Sequence, residues 1–212
     1  MNTPIIENGR HPFVVIEGID GVGKTTTARL VAQILSGEYY RTPSTPFDAI
    51  RAAIDHRADS LSRFYFYLSS VCLAATEIAS ILKRQPVVCD RYIYSTYAYH
   101  FVMDAKLRQC ALPHPLLMPD LGVLLIADEE DRQVRLLQRG IPTPNCSLAN
   151  EQNSEFLRRV ENEFRAMPLE VINTSKRQPD SIAAEIVTVL QGSLGQKKSC
   201  HRTEAFYENA AT

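Results

Sequence analysis

Short apolar runs alternate along the chain with stretches of helical periodicity. Phe13 to Ile16 is a β-branched run closed by Glu17 and Gly18, which predicts a buried strand. Lys24 to Ser36 carries Ala28, Val31, Ala32 and Leu35 at the i, i+3, i+4, i+7 spacing of a helix face. A short strand over Glu38 to Arg41 and a Pro-rich turn (RTPSTP) follow, and Ser60 is expected to cap a long helix reaching about Arg84. Val87, Val88 and Cys89 predict a second buried strand ending at Asp90, and Leu121 to Ala127 is the clearest strand of all. A helix over about Glu129 to Arg139 has acids in its first turn and arginines later, the order that the helix dipole favours; Arg132, Arg135 and Arg139 share one face and can converge on one target, a solvated basic face being the alternative. Gly140 to Asn153 is polar, rich in Pro and Asn, and reads as a mobile loop. Helices over about 154–166 and 179–191 flank a last strand, Leu169 to Ile172. After Gly192 the periodicity stops, and 193–212 reads as a polar, disordered tail.

Strands that alternate with helices predict an α/β fold with a parallel, five-stranded sheet covered on both faces. A length of 212 residues suits one such domain, taken as 1–192. With 23 basic and 24 acidic side chains the net charge is −1, which argues against a nucleic-acid partner. The longest apolar run has seven residues, far short of the roughly twenty that cross a bilayer, so no membrane segment is expected. The start, MNTPIIENGRHP, lacks a basic stretch followed by an apolar core. Cys72, Cys89, Cys110, Cys146 and Cys200 have no metal-site spacing and read as reduced thiols of a cytoplasmic protein.

The strongest chemical signal is GIDGVGKT, Gly18 to Thr25, a full match to G-x-x-x-x-G-K-[ST] set between a strand and a helix. Glycines let successive backbone N–H groups converge on phosphate oxygens, and the helix N-terminus adds positive potential. This motif places the chain among P-loop NTPases. Gly18, Asp20, Gly21, Val22, Gly23, Lys24, Thr25 and Thr26 are the residues expected around ATP, with Lys24 on its β/γ phosphates and Thr25 on Mg²⁺. A Gly-rich turn that only packs is the plain alternative.

Asp90 and Arg91 follow the second buried strand, at the sheet edge where open α/β folds bind ligands. Asp90 suits Mg²⁺ or an attacking oxygen, and Arg91 suits a phosphate held by two parallel hydrogen bonds. Ser95 and Tyr99 lie one turn apart on the helix that follows, on the same side. An Asp-Arg pair capping that helix, with Tyr99 as core, is the structural alternative.

These segments together resemble the thymidylate kinase family of nucleoside monophosphate kinases. FVVIEGIDGVGKTT (13–26) is similar to that family's phosphate loop, and Asp90-Arg91-Tyr92 with Ser95, Ala98 and Tyr99 to its D-R-Y…S…A-Y segment. YYRTPSTPFDAIR (39–51) resembles a stretch usually reading R-E-P-G-G-T-P followed by I-R. Pro119-Asp120-Leu121, then Arg135 and Arg139-Gly140, resemble the strand and helix that lead into a lid, here about 139–153. Glu155 to Val160 and Val171 to Ser175 continue in family order. The resemblance implies γ-phosphoryl transfer from ATP·Mg²⁺ to a nucleoside monophosphate, dTMP by default. It implies Asp20 on the acceptor sugar and Arg41 and Arg91 on the acceptor phosphate, with Pro43 beside them. Asp90 would support Mg²⁺ with Thr25, Arg135 and Arg139 would neutralise the moving charge, and the molecule would be a homodimer joined by long helices.

Three segments depart from the family pattern. Its acceptor-site arginine aligns near Ser69, and no basic residue lies between Arg63 and Lys83. Arg-Glu-Pro reads Arg41-Thr42-Pro43, and the charged lid segment reads Ile141-Pro142-Thr143-Pro144-Asn145. The aromatic run Phe64, Tyr65, Phe66, Tyr67 cannot share one helix face, so some of it is expected to line an altered acceptor pocket, Tyr65 among them. A kinase for an unphosphorylated nucleoside or other small molecule, and a non-catalytic nucleotide-binding module, are the alternative functions.

Overall fold

A computed structural model describes residues 6, 9–111, 113–138 and 153–196. The order of elements is β1 (Phe13–Glu17), α1 (Lys24–Ile34), β2 (Glu38–Arg41), α2 (Thr45–Arg57), α3 (Ser60–Ile81), β3 (Val87–Asp90) and α4 (Ile93–Met103). A 3₁₀ turn (Ala105–Gln109) leads to β4 (Leu121–Ile126), α5 (Glu129–Gln138), α6 (Ser154–Arg165), β5 (Glu170–Asn173) and α7 (Pro179–Gln196). The five strands form one parallel sheet in the order β2-β3-β1-β4-β5.

Every residue of β1 is fully buried. Side chains alternate between the faces of a strand, so that burial requires cover on both sides. Helices α1 and α7 pack together, and α4 packs between α3 and α6. The register sets Ile16 and Arg41 opposite Asp90, and Ile126 opposite Asn173, so the strands end together along one edge. Each strand then delivers its next residues to the same place: Gly18 after β1, Thr42 after β2, Arg91 after β3 and Thr174 after β5.

Four details differ from the sequence expectation. The segment after β2 holds the thirteen-residue helix α2 rather than a turn alone. Proline is compatible with a helix start, Asp48 lies in its first turn and His56 and Arg57 in its last. Asp59, not Ser60, caps α3: its Oδ1 accepts the Ser62 N–H at 2.8 Å. Helix α3 ends at Ile81 rather than Arg84, and α7 continues to Gln196, past Gly192 and into the segment assigned to a tail. The lid segment 139–152, with Arg139, and the chain from 197 lie outside the described residues. Helix α3 is long and apolar enough to cross a membrane by length and composition, but Phe64, Leu68, Val71, Ala74 and Ile78 bury it as a core helix.

A buried polar cluster joins α2, α3 and α4. The Tyr67 hydroxyl donates to Asp55 at 3.1 Å, and Arg63 Nη2 donates to the Asp55 carbonyl at 2.7 Å. His100 is 3% exposed and packs its ring on Phe64 and Tyr67. Its Nδ1 lies 2.7 Å from the Thr96 carbonyl, which only accepts, so Nδ1 carries the proton. Burial lowers the pKa of His100 to about 4, the Arg63 charge adding to the effect and the Thr96 hydrogen bond opposing it. A histidine depressed in the fold contributes stability that is present above the unfolded pKa and lost as pH falls towards the folded one. Between pH 6.5 and 4, His100→Gln is therefore expected to remove an acid destabilisation of about 3 kcal/mol relative to the parent chain. Denaturant melts of both proteins across that window measure the difference; parallel profiles would contradict it.

Candidate active site

The turn after β1 is built from backbone conformations that side chains resist. Gly18, Gly21 and Gly23 have φ of 136°, 90° and 97°. A Cβ on Gly18 would meet the Leu125 carbonyl oxygen at 2.4 Å, and one on Gly21 would meet Arg132 Cγ at 2.5 Å. Gly23 is the N-cap of α1 and supplies no side chain to it, so the first N–H groups of α1 have no side-chain cap. Loop and helix together form the anion cradle that nucleoside triphosphates occupy. Val22 and Lys24 are buried, whereas Thr25 and Thr26 are exposed at the start of α1.

Lys24 Nζ donates to the Ile19 carbonyl at 2.8 Å and lies 3.3 Å from Asp20 Oδ1. Burial, with the Arg91 charge adding to it, lowers this lysine to about 8, while Asp20 and Asp90 pull it back up. Arg91 Nη2 donates to the same Asp20 Oδ1 at 2.5 Å. One carboxylate oxygen thus sits between the two cations of the site.

Arg91 has φ of 69°, a left-handed conformation that costs a residue with a Cβ roughly 1–3 kcal/mol. Its surroundings hold it there. Its N–H donates to the Ile16 carbonyl at 3.0 Å, and its carbonyl accepts from the Thr42 hydroxyl at 2.9 Å. Its Nη1 donates to Ser95 Oγ at 3.1 Å, and the guanidinium lies 5.5 Å from the centre of the Tyr99 ring. Tyr99 is buried against Phe156 and Phe164 and is the floor under Arg91. Ser95 in turn donates to Glu17 Oε2 at 2.5 Å, while Glu17 Oε1 accepts from the N–H groups of Tyr92 (2.8 Å) and Ser95 (3.1 Å). Burial raises Glu17 to about 7 against these hydrogen bonds and the Arg91 charge, which lower it.

Asp90 is buried at the end of β3, where its Oδ2 accepts from Thr25 Oγ1 at 2.6 Å and from the Tyr39 hydroxyl at 3.3 Å. No group of three or more His, Cys, Asp or Glu that could hold a metal occurs among the described residues. An Asp–Thr pair beside a phosphate cradle suits Mg²⁺, which keeps several waters and takes its remaining oxygens from phosphates. Arg41 is exposed and, with Pro43, Tyr39 and Tyr40, lines a cavity of about 490 Å³ beside α2.

On the other side of the loop, Arg132 is 2% exposed and donates to the Asp20 carbonyl at 2.9 Å, with Glu129 gripping its Nε and Nη2. Arg135 donates to Thr174 Oγ1 (2.8 Å) and to the Thr174 carbonyl (2.7 Å), and Thr174 Oγ1 donates to the Val22 carbonyl at 3.0 Å. The fold brings Lys24, Asp20, Thr25, Asp90, Arg91, Ser95, Tyr99 and Arg135 around the loop. It does not bring Tyr65 there. Phe64 and Tyr67 turn inward on α3, which leaves Tyr65 46% exposed, beside Cys110. Ser69 also faces outward, its Oγ donating to the Tyr65 carbonyl.

Residues 16–186 match the family described as thymidylate kinase. The chain belongs to the thymidylate kinase family. It is 29% identical over 200 residues to a probable thymidylate kinase of Thermoplasma acidophilum, which covers 88% of this chain and all of that one. It is also 29% identical to human mitochondrial UMP-CMP kinase 2 over 90% of this chain and 45% of that one. The structure of thymidylate kinase from Candida albicans superposes with a TM-score of 0.69 at 19% identity, over 86% of this chain and 92% of that one, a likeness of fold.

Sequence reasoning about this thymidylate kinase family member missed Glu17, Tyr39 and Thr174 as supports of the site, and grouped Arg132 with Arg135 and Arg139 without foreseeing its burial under the loop. Each acts through partners far away in sequence. Only Glu17, an acid closing an apolar strand, left a local sign. The close fit of Gly21 against Arg132 yields a direct expectation. Gly21→Ala should weaken ATP binding about 5-fold or more, since strain of roughly 1–3 kcal/mol falls on the loop. Calorimetric titration with ATP checks this, and unchanged affinity would mean that the loop tolerates the extra methyl.

Proposed function

We infer that the chain transfers the γ-phosphoryl group of ATP to dTMP or a related nucleoside monophosphate. One observation carries the reading: two anion-binding groups, Lys24 in the phosphate loop and Arg91 after β3, meet on a single oxygen of Asp20. A loop that bound only ATP has no need of the second group. An acceptor with its own phosphate gives both cations a partner, and it brings donor and acceptor phosphates side by side. Catalysis of this kind is positioning and charge stabilisation, with little covalent chemistry from the protein.

In this reading the phosphate loop from Gly18 to Thr26 cradles the donor phosphates, and Lys24 neutralises them. Thr25 and Asp90 hold Mg²⁺, which supplies neutralisation of charge on the phosphate oxygens. Asp20 exchanges its two cations for the acceptor sugar. Arg91, seated on Tyr99 and Ser95, holds the acceptor phosphate, and Arg41 and Pro43 approach it from the β2 side. Arg135 keeps the loop in register with Thr174. Arg139 and the lid, which lie outside the described residues, keep the charge-neutralising role that the family resemblance implies. The homodimer and the cytoplasmic location that the family resemblance implies belong to the same reading, as does a single kinase domain.

A second reading of the acceptor rests on a specific observation. Helix α3 has no basic residue after Arg63, and Arg63 itself is tied to the carbonyls of Asp55 and Ala58. Among the relatives is a UMP-CMP kinase as well as thymidylate kinases. A pyrimidine monophosphate other than dTMP is therefore the alternative acceptor.

Coupled assays of ADP release with ATP·Mg²⁺ and dTMP, dUMP, dCMP, UMP, CMP or thymidine decide between them. Turnover is expected with a pyrimidine monophosphate and not with thymidine; turnover with thymidine alone would overturn the assignment of Arg91 to an acceptor phosphate. Lys24→Ala should reduce kcat by at least about 1000-fold, and Asp90→Asn by about 100-fold with the melting temperature little changed, in line with the 2.7–4 kcal/mol typical of a lost electrostatic contact.

A further inference from the structure

We propose that Glu17 and Ser95 form a positioning relay that sets the guanidinium of Arg91. The proposal rests on the assignment of Arg91 to the acceptor phosphate. Glu17 never reaches the reacting atoms; it lies fully buried at the end of β1. Its two oxygens have different employment. Oε1 takes the N–H groups of Tyr92 and Ser95 and so caps α4, which is all that a structural role requires. Oε2 instead accepts the hydroxyl proton of Ser95 at 2.5 Å. That contact fixes the direction of the Ser95 O–H bond, and with it the lone pairs that accept Arg91 Nη1 at 3.1 Å.

With Glu17 ionised, both of its oxygens accept the three donors around it. An amide has one accepting oxygen and one donating nitrogen. If Gln occupied position 17 with its oxygen on the backbone N–H groups, its NH₂ would donate to Ser95 Oγ. The serine proton would then leave its present direction, and Ser95 Oγ would accept from the amide as well as from Arg91 Nη1. If the amide were reversed, its NH₂ would face the two N–H groups of α4. The first orientation makes Arg91 Nη1 share the hydroxyl oxygen with a second donor, and the second sets donor against donor at the start of α4. The Arg91 backbone is held by independent bonds from Ile16 and Thr42, so what the relay governs is the side chain.

The test compares Glu17→Gln, Ser95→Ala and the double variant by acceptor and ATP kinetics on the full chain. Each single variant is expected to raise the KM of the pyrimidine monophosphate about 10-fold or more, with the KM for ATP within about 3-fold of the parent. The double variant should be no worse than Ser95→Ala, because the relay is already cut. Multiplying effects, or an unchanged acceptor KM in Glu17→Gln, would overturn the relay. A crystal structure of Glu17→Gln reads the same inference without any substrate: Arg91 Nη1 is expected to leave Ser95 Oγ, and an intact 3.1 Å contact would refute it. A parent protein that phosphorylates no monophosphate would defeat the reading of function instead, a result distinct from either. Ser95→Ala, which leaves Oε1 and both backbone donors in place, keeps the test open should Glu17→Gln fold poorly.

Discussion

Cations repel one another at close range, and the parallel sheet gathers several of them at one edge. Lys24 and Arg91 both touch Asp20 Oδ1, so they lie within about 6 Å of each other. Unit charges at that separation repel by about 3 kcal/mol at an effective dielectric near 20. Arg132 and Arg135 press on the same loop from α5. The fold tolerates this because anions are threaded among the cations: Asp20 between Lys24 and Arg91, Glu129 on Arg132, Asp90 and Glu17 behind. The lysine responds by a lowered pKa, and the glutamate, buried without a cation in contact, by a raised one. A nucleotide brings the negative charge that such an arrangement lacks.

The same edge explains which parts of the site could be read from the chain. Gly18 to Thr25 and Asp90-Arg91 are contiguous, and their chemistry is set by neighbours in sequence, so strand, loop and helix came out in the right order. Five parallel strands followed from the alternation of elements. What lay beyond reach was phase and partnership. Tyr65 belongs to a run of four aromatics, and only the packing of Phe64 and Tyr67 on α4 decides that Tyr65 points outward. Helix α2 was hidden because prolines mask a helix start and its one buried residue, Asp55, is polar. Arg132 looked like one of three arginines on a solvated face, yet it is the one sealed under the loop.

The α3–α4 interface is aromatic and polar rather than cationic. Tyr97 stacks on Phe101 at 5.2 Å, Phe64 sits among Tyr97, His100 and Phe101, and Asp55, Arg63 and Tyr67 are knotted together beneath α2. Arg63 Nη2 is committed to the carbonyls of Asp55 and Ala58.

The left-handed backbone of Arg91 has a further consequence for any attempt to harden this enzyme. Glycine at that position would relax the peptide, and a selection for heat resistance alone would be drawn to it. The same exchange would strip the guanidinium from the sheet edge. On the role proposed for Arg91, robustness and turnover are opposed at a single residue.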